Sequence, residues 1–171
     1  MKNSQVKNQK INMRIVLLAL SFSLLLNACS KDKGCKNVSP ADEATTLEAY
    51  NAAHGITATK HYTGLYYQII NPGGTAKPST KNTIFVKYVG SKLNGTVFDS
   101  QTNPGSTGFS LSSLIEGWKV GLPLIGKGGR ILLTIPSGMA YGCLGQTSSD
   151  TAKSIAPNTP IFFEIDLVDF Y

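Results

Sequence analysis

The chain ends in the segment PIFFEIDLVDFY, in which apolar side chains alternate with acidic ones at a period of two. Successive side chains of a β-strand point to opposite faces of a sheet, so this pattern predicts a strand with one buried face. Glu164 and Asp166 are expected to face water. The residues expected to face inward are Ile161, Phe163, Ile165 and Leu167. Such a strand needs partner strands and a layer that covers its apolar face.

Three more segments have the composition of strands, namely GLYYQII, TIFVKYVG and RILLTI, which begin at Gly64, Thr83 and Arg130. Before the last of them lies SSLIEGWKVGL, in which Leu114 and Trp118 are four residues apart, as on one face of a helix. Together these segments predict an α+β domain, in which a single short helix packs across an antiparallel β-sheet.

Residues 1–28 are predicted to be a lipoprotein signal peptide. A basic stretch precedes IVLLALSFSLLL, which is too short to cross a hydrocarbon core of about 30 Å but fits the apolar core of a secretory signal. The LNAC that follows resembles the bacterial lipobox, which implies that Cys29 is lipidated and becomes the first mature residue. Two alternatives stay open, cleavage near Ala28 as in an ordinary signal peptide, and a true start at Met13.

Residues 29–61 are predicted to form the lipidated tether and a short helix. The helix is expected over SPADEATTLEAYNAAHG, because Ser39 can cap its first turn and Gly55 can end it. Its apolar stripe is thin and consists of Leu47 and Tyr50, extended at most by Ala53. A dimerising coiled coil needs sustained heptads, so we expect this helix to lie on the main domain.

The charge distribution argues against nucleic acid as a partner. Of the 16 Lys and Arg residues, 4 precede residue 15, and the 12 that remain nearly balance the 10 Asp and Glu. The remaining basic residues are scattered singly and are not interleaved with aromatic residues. A nucleic-acid interface needs a basic stripe or patch, so none is predicted.

The cysteines and histidines predict neither a metal site nor a cofactor. The sequence has no CxxC, and His54 and His61 have no Cys or carboxylate neighbours at zinc-ligand spacing. If Cys29 carries lipid, Cys35 and Cys143 remain. An exported protein is able to form disulfides, but Cys35 lies in the polar tether, far in sequence from Cys143, so a bridge between them is not favoured.

The segment GLPLIGKGG contains GxxxxGK, the pattern of a phosphate-binding loop, at residues 121–127. A working loop follows a buried strand, opens a helix and places Ser or Thr after its Lys. Here a predicted helix precedes the segment, Pro123 interrupts it and Gly128 replaces the hydroxyl residue. We therefore predict no ATP binding and expect the glycines to form the turn that leads into RILLTI.

Five segments, FVKYVG, GTVFDS, FSLSSLIEGW, IPSGMAYG and IAPNTPIFFEIDLVD, resemble in order the signature segments of the FKBP-type peptidyl-prolyl isomerases. The resemblance covers about residues 64–171, and we expect the isomerase domain to occupy residues 62–171. It implies an antiparallel sheet wrapped around one short helix, which agrees with the layout derived above from the residues.

The resemblance also implies a hydrophobic pocket for a proline ring, with Trp118 as its floor. The implied walls are Tyr88, Phe98, Leu114, Ile115, Ile155 and Phe163. Asp99 and Tyr141 are implied to supply polar contacts, Tyr88 to donate a hydrogen bond to Asp99, and the Ile115 backbone N–H to bind a substrate carbonyl. The alternative for every aromatic residue here is ordinary core packing.

Two aromatic residues, Phe85 and Phe109, are expected to belong to the core and not to the pocket. Asp99 is harder to explain by packing, because a carboxylate among apolar residues needs a partner. Thr107 replaces an aromatic wall residue of many members, which predicts a more open pocket and weaker binding of macrolides such as tacrolimus.

The function implied by the resemblance is peptidyl-prolyl cis-trans isomerisation, assisting the folding of exported proteins at the bacterial cell envelope. The partners would be proline-containing unfolded polypeptides and, through the lipid anchor, a membrane. A non-catalytic chaperone or polypeptide-binding module on the same fold is the alternative. An exchange assay on a proline peptide distinguishes the two.

We predict that Cys29→Ala abolishes lipidation and membrane partitioning, because the lipobox cysteine is the acceptor of the lipid. Fatty-acid labelling and membrane fractionation of cells that produce each variant check this. Cys35→Ala is the matched control and should retain the label. Labelling that persists in Cys29→Ala would refute the lipoprotein interpretation.

Overall fold

The computed structural model describes residues 34–104 and 108–171, and Cys35–Tyr171 form one compact unit. The predicted signal peptide, its lipidation site Cys29 and the departure at Thr107 lie outside the described residues. The boundaries proposed from the sequence for the signal peptide and for the domain remain predictions. In the described part of the chain, no helix combines the length and apolarity needed to cross a membrane.

The described residues form seven strands that pair antiparallel in one sheet. They are β1 (Thr59–Lys60), β2 (Tyr66–Asn71), β3 (Thr83–Lys92), β4 (Val97–Gln101), β5 (Phe109–Ser110), β6 (Gly129–Ile135) and β7 (Ile161–Phe170). The strand order is β1-β2-β6-β7-β3-β4, and β5 pairs with β3. The four predicted strands are confirmed as β2, β3, β6 and β7. The strands β1, β4 and β5 were not predicted, since each is short.

The inward face of β7 follows the predicted alternation. Ile161, Phe163, Ile165 and Leu167 are each at most 3% exposed. Glu164 and Asp166 lie on the opposite face and are only partly exposed. Both carboxylates accept hydrogen bonds from Arg130 of β6, with the shortest N···O distance 2.7 Å, to Glu164. The outer face is therefore polar and paired at its centre.

A six-residue helix, α2 (Glu116–Gly121), packs on the inward face of the sheet. Two glycines let its backbone approach β6. A Cβ on Gly117 would lie 2.6 Å from Ile135 Cγ2, and one on Gly121 would lie 2.7 Å from Leu133 Cδ2. Short 3₁₀ turns precede and follow the helix. This arrangement confirms the predicted α+β fold, an antiparallel sheet wrapped around one short helix.

The predicted N-terminal helix is present as α1 (Pro40–Ala53). Ser39 caps it as expected, because its Oγ accepts a hydrogen bond from the Asp42 N–H at 3.2 Å. At the other end the chain leaves the helix through His54 and through Gly55, whose φ is +65°. A positive φ is readily adopted by glycine, so Gly55 ends the helix as the sequence predicted.

The buried face of α1 differs from the predicted stripe. It consists of Glu43, Leu47 and Asn51, which are four residues apart and therefore share one side of the helix. Ala53 is exposed. The face was missed because two of its three members are polar, and their burial depends on partners in the sheet that the sequence does not reveal.

Those partners lie on β6 and just after it. The Thr134 hydroxyl donates to Asn51 Oδ1 at 2.6 Å, and both the N–H and the hydroxyl of Ser137 donate to the Glu43 carboxylate at 2.7 and 2.6 Å. Thr134 alternates with Leu133 and Ile135, which face α2. The helix α1 therefore lies on the opposite face of the sheet from α2.

Contrary to the sequence-based expectation, Cys35 and Cys143 form a disulfide, with a Cα–Cα distance of 5.4 Å. The sequence separation of 108 residues is spanned because the segment before α1 runs back to the loop after β6. Closing so long a loop removes entropy from the unfolded chain, on the order of 4–5 kcal/mol in the chain-entropy account. Distance along the chain was thus the wrong criterion.

The structure places the GxxxxGK segment between a helix and a strand, in the reverse of the order that a phosphate loop requires. A 3₁₀ turn at Leu122–Leu124 follows α2, and Gly128, at a φ of +78°, leads into β6. The glycines form the predicted turn.

We predict that Glu43→Ala lowers the free energy of unfolding by about 1–3 kcal/mol, because it leaves the buried Ser137 N–H without its acceptor. Urea denaturation followed by circular dichroism measures the change. Thr46→Ala is the control, since Thr46 is exposed on the same helix. Equal effects of the two substitutions would contradict a structural role for the Glu43 contact.

Candidate functional site

A bulge between β3 and β4 sets the positions of two predicted site residues. Gly90 lies opposite Asp99, but the next pair is Ser91 with Val97, so Phe98 is the extra residue on β4. A bulge of this kind bends a strand and redirects a side chain. Phe98 is 4% exposed and turns into the core, whereas Asp99 is exposed.

Gly90 provides the space into which two rings pack. A Cβ at this position would lie 2.5 Å from Phe163 Cε1 and 2.9 Å from Phe98 Cζ. Contacts that close are not tolerated, so any other residue on β3 here would push the rings away. The absence of a side chain at Gly90 of β3 is therefore what lets Phe98 and Phe163 meet, with ring centroids 5.5 Å apart.

Five predicted site residues form one cluster of rings packed edge to face. The ring centroids of Trp118 lie 5.1 Å from those of both Tyr88 and Phe163, at interplanar angles of 83° and 84°. Phe98 is perpendicular to Tyr141 at 6.2 Å. Aromatic pairs favour such edge-to-face geometry, because the positive ring edge meets the negative face. The cluster therefore holds its rings in defined orientations.

A cavity of about 70 Å³ opens beside this cluster. It is lined by Leu114, Ile115, Trp118, Tyr141 and Phe163. Tyr88 and Phe98 contact the lining rings from behind, and Ile155 is buried in the same core. The structure thus brings the residues implied by the resemblance close together. However, three of the six expected walls, Tyr88, Phe98 and Ile155, do not line the cavity itself.

The polar contact between Tyr88 and Asp99 is present. The Tyr88 hydroxyl donates to Asp99 Oδ2 at 2.9 Å. Asp99 is exposed, so the argument that a carboxylate surrounded by apolar residues needs a partner does not apply to it. The bulge leaves this side chain on the surface, within hydrogen-bond distance of Tyr88.

Both phenols at the site hold their protons more tightly than a free tyrosine does. Burial raises the pKa of Tyr88, and the hydrogen bond to Asp99 and its negative charge raise it further. Burial, and then the charge of Asp99, also raise the pKa of Tyr141. At neutral pH both side chains are therefore hydrogen-bond donors.

Phe109 was expected to belong to the core alone, yet its ring also packs edge-on against Tyr88 at 6.4 Å. The contact arises because β5 pairs with the start of β3, a pairing of two residues too short to be recognised from alternation. The expectation that Phe85 belongs to the core is wrong. Its side chain is only partly buried and lies outside the core cluster, and its ring packs on Tyr171 at 5.8 Å.

Other parts of the described chain offer no comparable site. No group of three or more His, Cys, Asp or Glu among the described residues is arranged to hold a metal ion. A larger cavity of about 530 Å³ lies on the outer face between α1 and the sheet. There Arg130 is already paired with Glu164, and the rings on its wall, Tyr50, His54 and Phe162, pack on one another. None of the predicted site residues lines this cavity.

Comparison with known proteins supports the geometry. Residues 74–168, more than half of the 171 residues, match the family described as FKBP-type peptidyl-prolyl cis-trans isomerase. The chain is similar to the FKBP-type peptidyl-prolyl cis-trans isomerase FkpA of Escherichia coli, with 37% identity over 108 residues. The match covers 63% of this chain and 38% of FkpA.

Two further similarities are to the outer membrane protein MIP of Legionella longbeachae and to a solved isomerase. MIP is 36% identical over 106 residues, which cover 61% of this chain and 43% of MIP. The chain thus matches less than half the length of both curated relatives. The crystal structure of a peptidyl-prolyl cis-trans isomerase from Pseudomonas syringae superposes with a TM-score of 0.61 at 29% identity, covering 79% of this chain and 98% of that one.

We predict that Tyr88 makes stability depend on alkaline pH. Its raised pKa stabilises the fold fully below the ordinary tyrosine pKa of about 10, and this contribution is lost as the pH rises through the raised value. The free energy of unfolding should fall more steeply above pH 10 in the unmodified chain than in Tyr88→Phe. The difference in slope should not exceed about 1.4 kcal/mol per pH unit, because only one proton is released.

Urea denaturation at a series of pH values from 9 to 12 measures both slopes. Tyr62→Phe serves as the control, because Tyr62 is 94% exposed. Identical slopes for Tyr88→Phe and the unmodified chain would show that the pKa of Tyr88 is not raised in the folded chain.

Proposed function

Because the chain belongs to the family of FKBP-type peptidyl-prolyl cis-trans isomerases, we propose that it accelerates cis–trans isomerisation of X–Pro bonds in polypeptides. The observation that carries the proposal is the cavity between Trp118, Tyr141 and Phe163, beside which Tyr88 and Asp99 form a hydrogen bond. An apolar cavity with a few polar groups at its rim suits a proline ring flanked by backbone amides.

The chemistry requires no nucleophile. Rotation about an X–Pro bond crosses a barrier of roughly 18–20 kcal/mol because the twisted amide loses resonance, and unaided exchange takes about 10–100 s. The twisted amide has a less polar carbonyl than the planar one. An apolar cavity from which water is excluded therefore favours the twisted amide over the planar one. Reaching the millisecond range requires only about 5–7 kcal/mol of such preference.

Each residue has a proposed role in this process. Trp118 supports the proline ring, and Leu114, Phe98, Ile155 and Phe163 keep the surroundings apolar. The protonated hydroxyl of Tyr141 donates to a substrate carbonyl, and the Ile115 N–H does the same at a second carbonyl. Asp99 and Tyr88 act as a pair at the rim, where Tyr88 orients the carboxylate. These assignments follow from the positions of the residues together with family membership.

We further propose that the protein works at the bacterial cell envelope, anchored by lipid at Cys29. The support is the lipobox-like LNAC and the similarity to a relative named as an outer membrane protein. The substrates would then be exported polypeptides that have yet to fold. Macrolides such as tacrolimus are proposed ligands of the same cavity, and no ATP or nucleic acid is required.

We predict that the full chain, purified in detergent, accelerates exchange in peptides with an apolar residue before proline. Asp99→Ala and Tyr141→Phe should each lower kcat/KM roughly 2- to 10-fold, as expected for the loss of one hydrogen bond. Trp118→Ala should reduce both activity and stability, the latter by about 3–5 kcal/mol, because the buried ring leaves a cavity. A protease-free fluorescence assay of peptide exchange measures the rates.

Asp169→Ala is the matched control for Asp99→Ala. Asp169 is also an aspartate with a side-chain partner, Lys127 at 2.7 Å, but it lies outside the cavity, so its loss should leave the rate unchanged. The opposing result is a folded chain that shows no cis–trans exchange above background and yet suppresses aggregation of an unfolded polypeptide. In that case the alternative, a non-catalytic chaperone or polypeptide-binding module, is correct and the isomerase proposal is wrong.

A further inference from the structure

The segment that precedes α1 is attached to the loop that carries Tyr141. We call residues 35–38 the strap. Its first residue, Cys35, is bonded to Cys143, two residues after Tyr141. Its third, Asn37, accepts a hydrogen bond at Oδ1 from the Cys143 N–H at 2.8 Å. One covalent and one polar contact thus hold the same residue of the loop.

Asn158 connects the strap to this loop from the other side. Its side chain accepts from the Val38 N–H and donates to the Lys36 carbonyl, both at 3.3 Å. Its own N–H donates to the Gly142 carbonyl at 2.8 Å. Asn158 has a φ of +53°, a conformation that few residues other than glycine and asparagine adopt readily. The backbone is therefore bent at the point where the side chain reaches the strap.

The strap also fills the space beside the residue that follows Tyr141. Gly142 has a φ of +57°, and a Cβ there would lie 2.5 Å from Asn37 Oδ1. The turn is closed on the other side by the Gly145 N–H, which donates to the Tyr141 carbonyl at 3.1 Å. Residues 141–145 are consequently held between the strap and their own internal hydrogen bonds.

We propose that the strap is a positioning element for Tyr141. It precedes the isomerase domain expected from the sequence, but it belongs to the functional site. This inference rests on the proposed function. Tyr141 lines the cavity and packs edge-on against Phe98, so a shift of its backbone displaces the hydroxyl that is proposed to donate to the substrate. Cys35, Asn37 and Asn158 do not line the cavity and act only through this loop.

Three changes to the full chain, purified in detergent, test the proposal. Asn158→Gly keeps the positive φ, which glycine adopts freely, and removes only the contacts of the side chain with the strap. Asn37→Ala removes the acceptor of the Cys143 N–H but retains the disulfide. Cys35→Ser combined with Cys143→Ser removes the bond itself. Each should lower kcat/KM for a proline peptide about 3- to 10-fold, since small displacements of catalytic groups are costly.

The distinguishing measurement is the same set of changes made together with Tyr141→Phe. If the strap acts through the Tyr141 hydroxyl, each change should then lower kcat/KM by less than about 2-fold, because residues that act as a unit are not additive. An equal loss in both backgrounds, or no loss in the unmodified background, would overturn the proposal.

A control separates positioning from stability. Thr134→Val removes a buried hydrogen bond between α1 and the sheet, on the face opposite the cavity, and should lower the melting temperature without changing kcat/KM. Amide hydrogen exchange of Cys143 provides a readout that needs no activity. Exchange should accelerate in Asn37→Ala, and unchanged exchange would overturn the inference about the strap. An unmodified chain that proved inactive would refute only the proposed function.

Discussion

The site depends on the missing side chain at Gly90. This residue lies on β3, between β4 and β7, and its lack of a Cβ is what allows Phe98 and Phe163 to meet above the strand. Phe163 in turn supports Trp118, and Phe98 supports Tyr141. The space left by the missing side chain at Gly90 therefore sets the positions of the rings around the cavity.

The two faces of the sheet are covered by different kinds of contact. The inward face, under α2, is apolar and close-packed, as its two helix glycines require. The outer face holds α1 by hydrogen bonds from Thr134 and Ser137 to Asn51 and Glu43, with Leu47 between them. Hydrogen bonds are directional. They therefore restrict the position of the helix along the sheet more strongly than apolar contacts alone would.

Much of the fold follows from local sequence patterns. The alternation in β7 and β3, the cap at Ser39 and the glycine at the end of α1 each reflect the conformation of a few neighbouring residues, and such features can be inferred without the structure. The order of elements around Gly121–Lys127 was enough to separate a turn from a phosphate loop.

The features that were missed depend on contacts between distant residues. The strand β4 is short and carries a bulge, so its alternation is broken at Phe98 and Asp99, and the exposure of Asp99 could not be anticipated. The polar face of α1 is explained only by its partners after residue 133, and the pairing of Cys35 with Cys143 only by the path of the chain. For the candidate site, the resemblance named residues that the structure brings close together, but not which of them border the cavity.

The disulfide also changes what a protease can do to this protein. A single cut of the backbone anywhere between Cys35 and Cys143 yields two pieces that remain covalently joined. That interval contains six of the seven strands and α2, so a nick in any of its surface loops leaves every ring of the cavity on one molecule. Loops such as the one between β2 and β3 can therefore be cleaved without release of a fragment.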